Sequence, residues 1–86
     1  MSVYPLHQLP KHQEAYIKDI IANPAFGSQD NSVSRRLADL GFSNHRPVSI
    51  IAKGLLGRGP YVVRLDHHSQ FSLRKAEAEK ILCYLK

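Results

Sequence analysis

Five histidines are the residues of this sequence that most readily suggest a site, because neutral imidazole is a common ligand of divalent transition metals. They are His7, His12, His45, His67 and His68. No C-x-x-C or H-x-x-x-H pair is present, and the adjacent His67 and His68 would point to opposite faces of a strand, although a turn would relax this. One hypothesis is that His67 or His68, with Asp66 or another histidine such as His45, binds zinc or ferrous iron weakly at the surface, within one chain or across a contact between two copies. The alternative is five surface histidines with no metal.

The glycines of residues 53–60 suggest a second chemistry, the binding of phosphate. Their order is G-x-x-G-x-G, without G-K-S/T, and Pro60 opens a strand rather than a helix. A phosphate cradle needs amides that converge at a helix N-terminus, so this segment indicates a hairpin loop. Gly54-x-x-Gly57 also matches the backbone clamp of KH domains, but so short a match between strands carries little weight.

Catalytic side chains are not grouped in the sequence. Cys83 lies in the apolar run 81–85, where burial keeps a thiol protonated and inert. Glu77 and Glu79 lie in a segment too polar to form a cleft, so an acid/base pair has no support. We therefore expect that the protein is not an enzyme and that it requires no cofactor.

Length and charge limit the classes of partner. The 86 residues suffice for one small domain, residues 1–86, in which 1–14 is expected to be a lead-in segment. Residues 1–43 hold four basic and four acidic groups, whereas residues 44–86 hold eight basic groups against three acidic ones and supply the whole net charge of +5. Such a half attracts nucleic acid, an anionic membrane face or an acidic protein surface. A solvated basic surface with no dedicated partner is the alternative.

The lone cysteine and the first residues predict a location. Cys83 cannot form an internal disulfide, which favours a reducing compartment. Neither a signal peptide nor an apolar stretch of the roughly 18 residues needed to span a membrane is visible. We expect a cytoplasmic protein that is not inserted in a membrane.

The elements that position these residues follow from periodicity. Val33, Leu37 and Leu40 share one face of a helix predicted over about 32–40, capped by Asn31 or Ser32 and ended by Gly41. The pattern then changes to a period of two, and Pro47–Lys53, Tyr61–Leu65 and Gln70–Leu73 are predicted to form an antiparallel meander. Residues 15–22 fit a strand or a helix, and residues 81–85 fit either the end of a helix begun at Arg74 or a closing strand after one helical turn.

A resemblance appears at the junction between this helix and the first strand of the meander. The sequence Arg36-Leu37-Ala38-Asp39-Leu40-Gly41-Phe42 resembles the R-L-x-x-L-G-hydrophobic signature of the ferrous iron transport protein A (FeoA) family. Residues 59–65 resemble its G-P-hydrophobic strand, residues 71–81 resemble its L-R-x-x-x-A-x-x-I ending, and 6–9 with 15–17 fit its opening strand. The motifs occur in the family's order over about residues 6–85. Asn44-His45 stands where the family usually has Pro-Gly, and Asn tolerates the left-handed conformation expected there.

The resemblance implies a mainly β fold: a small SH3-like β-barrel with one short α-helix and a helical turn at 74–80 before a last strand at 81–85. It also implies a cytoplasmic accessory protein of bacterial ferrous iron uptake that acts on the GTP-binding part of the membrane transporter FeoB, close to the membrane. We expect a buried core and exposed partner-binding positions. The expected core comprises Ile17, Ile20, Leu37, Leu40, Val48, Ile50, Val62, Phe71, Leu73 and Ile81. The candidate binding residues are Leu55, Leu56, Arg58, Asn44, His45, Arg46, Arg64, Arg74 and Lys75.

Two other functions remain open on the sequence. A basic barrel could bind nucleic acid, although few aromatic residues accompany the cations of residues 44–86 and no nucleic acid is expected as the partner. Similar barrels also form the C-terminal domains of metal-dependent repressors, so a metal-responsive regulatory domain is a second alternative, weakened by the lack of a DNA-binding helix-turn-helix ahead of the barrel. A homodimer is compatible with the sequence.

Overall fold

Six antiparallel strands and two α-helices make up the part of the chain that the structure describes, which is residues 2–54 and 60–86 of a computed structural model. The strands are β1 (Val3–Pro5), β2 (Ala15–Ile20), β3 (Pro47–Lys53), β4 (Tyr61–Leu65), β5 (Ser69–Leu73) and β6 (Ile81–Tyr84). The helices are α1 (Asp30–Leu40) and α2 (Lys75–Ala78), and 3-10 turns cover Leu6–Gln8 and Pro24–Gln29. No helix within these residues is long and apolar enough to cross a membrane.

The meander β3-β4-β5 is the part of the sheet that the period-two pattern predicted, and it is confirmed. In the register, Arg64 of β4 stands opposite Ser49 of β3 on one side and Gln70 of β5 on the other. Strand β5 begins one residue earlier than predicted. The ambiguous segments at residues 15–22 and 81–85 both become strands. β6 follows the short helix α2, as the resemblance implied and against the helix-forming tendency of residues 74–80.

The order of the strands in the sheet is β1-β6-β2-β3-β4-β5. β6 is inserted between β1 and β2 and does not pair with β5. Among the described residues, β1 and β5 are therefore the two outer strands of the sheet, although a closed barrel would have left neither. Residues 3–9, which fall in the expected lead-in segment, join the sheet and the core: Val3–Pro5 pairs with β6, and Leu6 and Leu9 are buried.

Helix α1 begins two residues before its predicted start, and the predicted cap at Asn31 or Ser32 is wrong. Gln29 precedes the helix, and Asp30 places its carboxylate in the first turn, where it accepts the backbone N–H of Asn23 at 2.9 Å. The predicted end is confirmed. Gly41 has φ 111°, a left-handed conformation in which a β-carbon would lie 3.2 Å from Leu65 Cδ2.

The core includes most of the predicted residues, but two predictions were wrong. Leu40 is 40 % exposed, because α1 buries only Val33 and Leu37. Val62 is half-buried, since the inward positions of β4 are Tyr61, Val63 and Leu65 rather than the residues between them. Ile20 and Phe71 are partly buried and pack against the core. The predicted residues that are buried are Ile17, Leu37, Val48, Ile50, Leu73 and Ile81.

Candidate functional site

Exposed cations lie along the meander and directly after it. Arg64 stands on the outward side of β4, Lys53 ends β3, and Arg74 and Lys75 follow β5; all four are exposed. No carboxylate within the described residues forms an ion pair with any of them. We call Arg64, Arg74 and Lys75 the basic face; Lys53 stands opposite Tyr61 in the register and therefore lies on the other side of the sheet from Arg64. All three residues of the basic face were predicted as binding residues.

A surface depression of about 490 Å³ lies at one end of the basic face. It is lined by Pro60, Ser72, Arg74, Lys75 and Glu77. The one carboxylate in it is already paired, because Glu77 Oε1 accepts the Arg74 backbone N–H at 2.8 Å and Oε2 pairs with the Arg36 guanidinium. The depression therefore offers positive charge to an acidic group.

An ion pair between a buried lysine and a partly exposed aspartate fixes α2, which carries Lys75 and directly follows Arg74. Lys80 is fully buried, and its Nζ lies 2.5 Å from Asp30 Oδ1 at the start of α1. The hydrogen bond from Lys80 lowers the pKa of the Asp30 carboxyl below its ordinary value. A buried ammonium needs such a partner, since an unpaired charge in the interior is strongly unfavourable.

Asn23 strengthens this connection between α1 and α2. Its Nδ2 donates to Ala76 O at 2.9 Å and to Glu79 Oε1 at 3.1 Å, while its Oδ1 accepts from the Ala25 backbone N–H. The network holds α2 against the start of α1. The basic groups at residues 74 and 75 thus border an element that is hydrogen-bonded to the segment before α1.

The other predicted binding residues lie elsewhere. Arg46 pairs with Asp66, in the turn that joins β4 to β5, and His45 Nδ1 lies 2.8 Å from the Tyr84 hydroxyl. Arg74 and Lys75 follow the opposite end of β5, so the structure divides the predicted residues into two groups. Asn44 is exposed, and the left-handed residue of its turn is His45, with φ 71°, rather than Asn44 as expected. Leu55, Leu56 and Arg58 fall outside the described residues.

The predicted metal ligands are not brought together. Asp66 pairs with Arg46, His45 contacts Tyr84, and His67 Nε2 lies 3.6 Å from Glu14 Oε2, while His68 is exposed. Residues 2–54 and 60–86 contain no group of three or more His, Cys, Asp or Glu side chains placed to hold a metal ion. Weak surface binding therefore stays a prediction.

An aromatic cluster that the sequence did not indicate lies near this second group. Tyr16 and Tyr84 have ring centroids 5.7 Å apart, and Lys86 Nζ lies 4.6 Å from the centroid of Tyr16. The Tyr16 hydroxyl donates to Glu14 Oε1 at 3.1 Å, which raises the pKa of that phenol. Pairing of β2 with β6 creates the cluster, and that pairing could not be read from the separate segments.

Comparison with known proteins gives one family and one fold. The model of the FeoA domain matches residues 4–85. FeoA of Stenotrophomonas maltophilia, solved in complex with zinc and described as a prokaryotic SH3 domain protein, is 31 % identical; the match covers 91 % of this chain and 86 % of that one, with a TM-score of 0.75. FeoA of Chlorobium tepidum is 27 % identical, with 95 % of this chain and 70 % of that one covered and a TM-score of 0.74.

A repressor shares the fold at lower identity. A manganese-dependent transcriptional repressor is 17 % identical, with 98 % of this chain but 42 % of that one covered and a TM-score of 0.77, which shows likeness of fold alone. No protein of curated function matched the chain. The predicted mainly β, SH3-like fold is confirmed by these likenesses and by the antiparallel sheet itself.

Proposed function

The chain belongs to the FeoA domain family, and on that basis we propose that it is a cytoplasmic, non-enzymatic accessory protein of bacterial ferrous iron uptake that binds the cytoplasmic GTP-binding part of a FeoB-type transporter. The observation that carries the proposal is the match of the FeoA domain over residues 4–85. The sequence identity of 31 % to the S. maltophilia protein supports the proposal. That protein is described as a possible activating factor of bacterial ferrous iron transport.

The basic face is the surface through which we propose that the chain binds this partner. Arg64, Arg74 and Lys75 are exposed and have no carboxylate partner within the described residues, so their charge is available to a second molecule. Complementary charge speeds encounter and selects partners more than it adds affinity. The partner is thus expected to present acidic groups.

Capture of the transporter's cytoplasmic part on immobilised protein tests the proposal. We expect the wild-type chain to retain it, and the double variant Arg64→Glu/Arg74→Glu to lose it. The variant Arg35→Glu is the matched control, because Arg35 is an exposed arginine on α1 outside the basic face. Failure of the wild-type chain to retain the domain at low salt would contradict the proposal.

Weak binding of a divalent metal at the surface is a second, smaller part of the proposal. The S. maltophilia protein was solved with zinc, and in this chain Glu14 and His67 place two donor atoms near each other. Calorimetry with zinc and with ferrous iron under anaerobic conditions tests it. Heat that disappears in His67→Ala supports the site, and heat equal to that of buffer contradicts it.

A further inference from the structure

Strand β5 leaves one of its two long edges without a partner in the described structure. It pairs with β4 on one side, and no strand from residues 2–54 or 60–86 pairs with it on the other. In an antiparallel sheet, alternate residues of such an outer strand direct their N–H and C=O groups to the open side. Three of its five residues, Ser69, Gln70 and Ser72, are exposed. Within the described residues, the backbone of β5 makes no backbone hydrogen bond besides those of its pairing with β4.

The edge also lacks the features that usually prevent strand addition. Natural edge strands are commonly protected by short length, by proline or by charged side chains. The other outer strand, β1, has such protection, because it has three residues and ends in Pro5, which has no N–H. β5 has five residues, Ser69-Gln70-Phe71-Ser72-Leu73, none of them charged and none proline.

The positive charge around this edge favours an acidic binding partner. Arg64 lies directly opposite Gln70 on β4, and Arg74 and Lys75 follow the last residue of the strand. A strand added beside β5 would lie about 4.8 Å from β5, next to Arg74 and Lys75 at the end of that strand. It would lie about 9.6 Å from β4, so Arg64 would meet its side chains only across Gln70. Glu77, the carboxylate in the neighbouring depression, is already paired with Arg36. A second copy of this chain paired at the same edge would place like positive charges next to each other. An acidic segment would instead meet opposite charge.

We infer that the open edge of β5 binds an extended acidic segment of the partner protein as an additional antiparallel or parallel strand. Backbone hydrogen bonds to β5 would supply affinity, and Arg64, Arg74 and Lys75 would select glutamate or aspartate in the added strand. The inference rests on the proposed function for the identity of the partner, but its chemistry can be tested separately.

The test uses an eight-residue peptide that alternates glutamate with valine, together with amide hydrogen exchange of the whole protein. We expect the peptide to slow exchange of the open-side amides of β5 by about tenfold or more at saturation. Two control peptides, one with lysine for glutamate and one methylated at alternate backbone nitrogens, are expected to give no protection. Protection by the methylated peptide, protection elsewhere than β5, or no binding by the acidic peptide would overturn the inference.

Variants on the strand provide a second readout. Ser72→Glu places a carboxylate beside the proposed strand and is expected to weaken binding of the acidic peptide at least about fivefold. Ser72→Lys is expected to strengthen that binding. Ser32→Glu, at an exposed serine of α1, is the matched control and should leave the affinity for the peptide unchanged. Equal affinities for all three variants would refute the edge as the binding site. Protection of β5 without peptide, accompanied by a dimeric mass, would assign the edge to a second copy instead.

Strand addition at β5 and binding of the transporter can be tested independently of each other. If the transporter's cytoplasmic part binds while the β5 amides stay unprotected, the accessory role stands and the strand addition is wrong. If the peptide protects β5 but the transporter's domain is not retained, the edge is a site for acidic strands and the proposed partner is wrong.

Discussion

Lys80 Nζ lies 2.5 Å from Asp30 Oδ1, and this pair joins the turn before the last strand to the first turn of α1, 50 residues away in sequence. Lys80 is fully buried, whereas the Asp30 side chain is 17 % exposed. The ammonium also lies 5.6 Å from the ring centroid of Phe26. The pair therefore holds together the elements that carry the basic groups at residues 74 and 75.

Acid is predicted to weaken the fold through Asp30. Because Lys80 lowers the pKa of this carboxyl in the folded state, Asp30 contributes stability above its unfolded pKa and loses it as the pH falls through the folded value. The free energy of unfolding of Asp30→Asn is expected to lie below that of the wild type at neutral pH, and the difference should shrink below about pH 4. Urea titrations across pH measure this. Asp39→Asn, at an exposed position of α1, should show no such convergence, and a pH-independent difference for Asp30→Asn would contradict the prediction.

Two leucines on α1 test where the core ends. Leu37 is fully buried, so Leu37→Ala should reduce the free energy of unfolding by about 2–5 kcal/mol. Leu40 is 40 % exposed, so Leu40→Ala should reduce it by less than about 1 kcal/mol. Urea unfolding of both variants makes the comparison. Similar losses at the two positions would mean that α1 packs differently.

Cys83 should be unreactive in the folded protein. Its side chain is buried, and burial raises the pKa of the thiol to about 12, so the thiolate is scarce at neutral pH. Iodoacetamide at pH 8 is expected to modify the protein only after denaturation, as followed by mass spectrometry. Rapid labelling of the native protein would contradict the buried position of the residue.

Nucleic acid is predicted not to bind to the basic face. Proteins that bind single strands combine cations with exposed aromatic rings on which bases stack. Within the described part of the meander, Tyr61 is 2 % exposed and Phe71 packs against the core, so neither ring is available for stacking. Gel-shift titrations of generic oligonucleotides at low salt should show no retention. Strong retention that falls steeply with salt would favour the nucleic-acid alternative.

Much of the fold follows from the sequence because its signals are local. The period-two runs at residues 47–53 and 61–65 fix their strands, and Gly41 fixes the end of α1, since a side chain is strained at its φ. The position of β6 between β1 and β2 depends on pairing between distant segments, which no local pattern encodes. Residues 74–80 show the same limit, because helical propensity favours a longer helix there than tertiary pairing permits.

The candidate site was only partly predictable for a similar reason. Residue type identified Arg64, Arg74 and Lys75 as exposed cations, and strand register then placed Arg64 opposite Gln70. Arg74 and Lys75 lie at the end of the β4–β5 hairpin opposite to the Arg46–Asp66 pair, whereas Arg64 lies near the turn that contains Asp66, and only the register shows this. The sequence could not show that Glu77 is already paired with Arg36, 41 positions earlier.

Isothermal titration calorimetry with the cytoplasmic part of a FeoB-type transporter tests the central claim most directly. The wild-type chain should bind, Arg64→Glu/Arg74→Glu should bind at least about tenfold more weakly, and Arg35→Glu should match the wild type. Circular dichroism and thermal unfolding of each variant establish that folding is retained. Absence of binding by the wild-type chain, or an equal loss in both variants, would contradict an accessory protein that acts through the basic face.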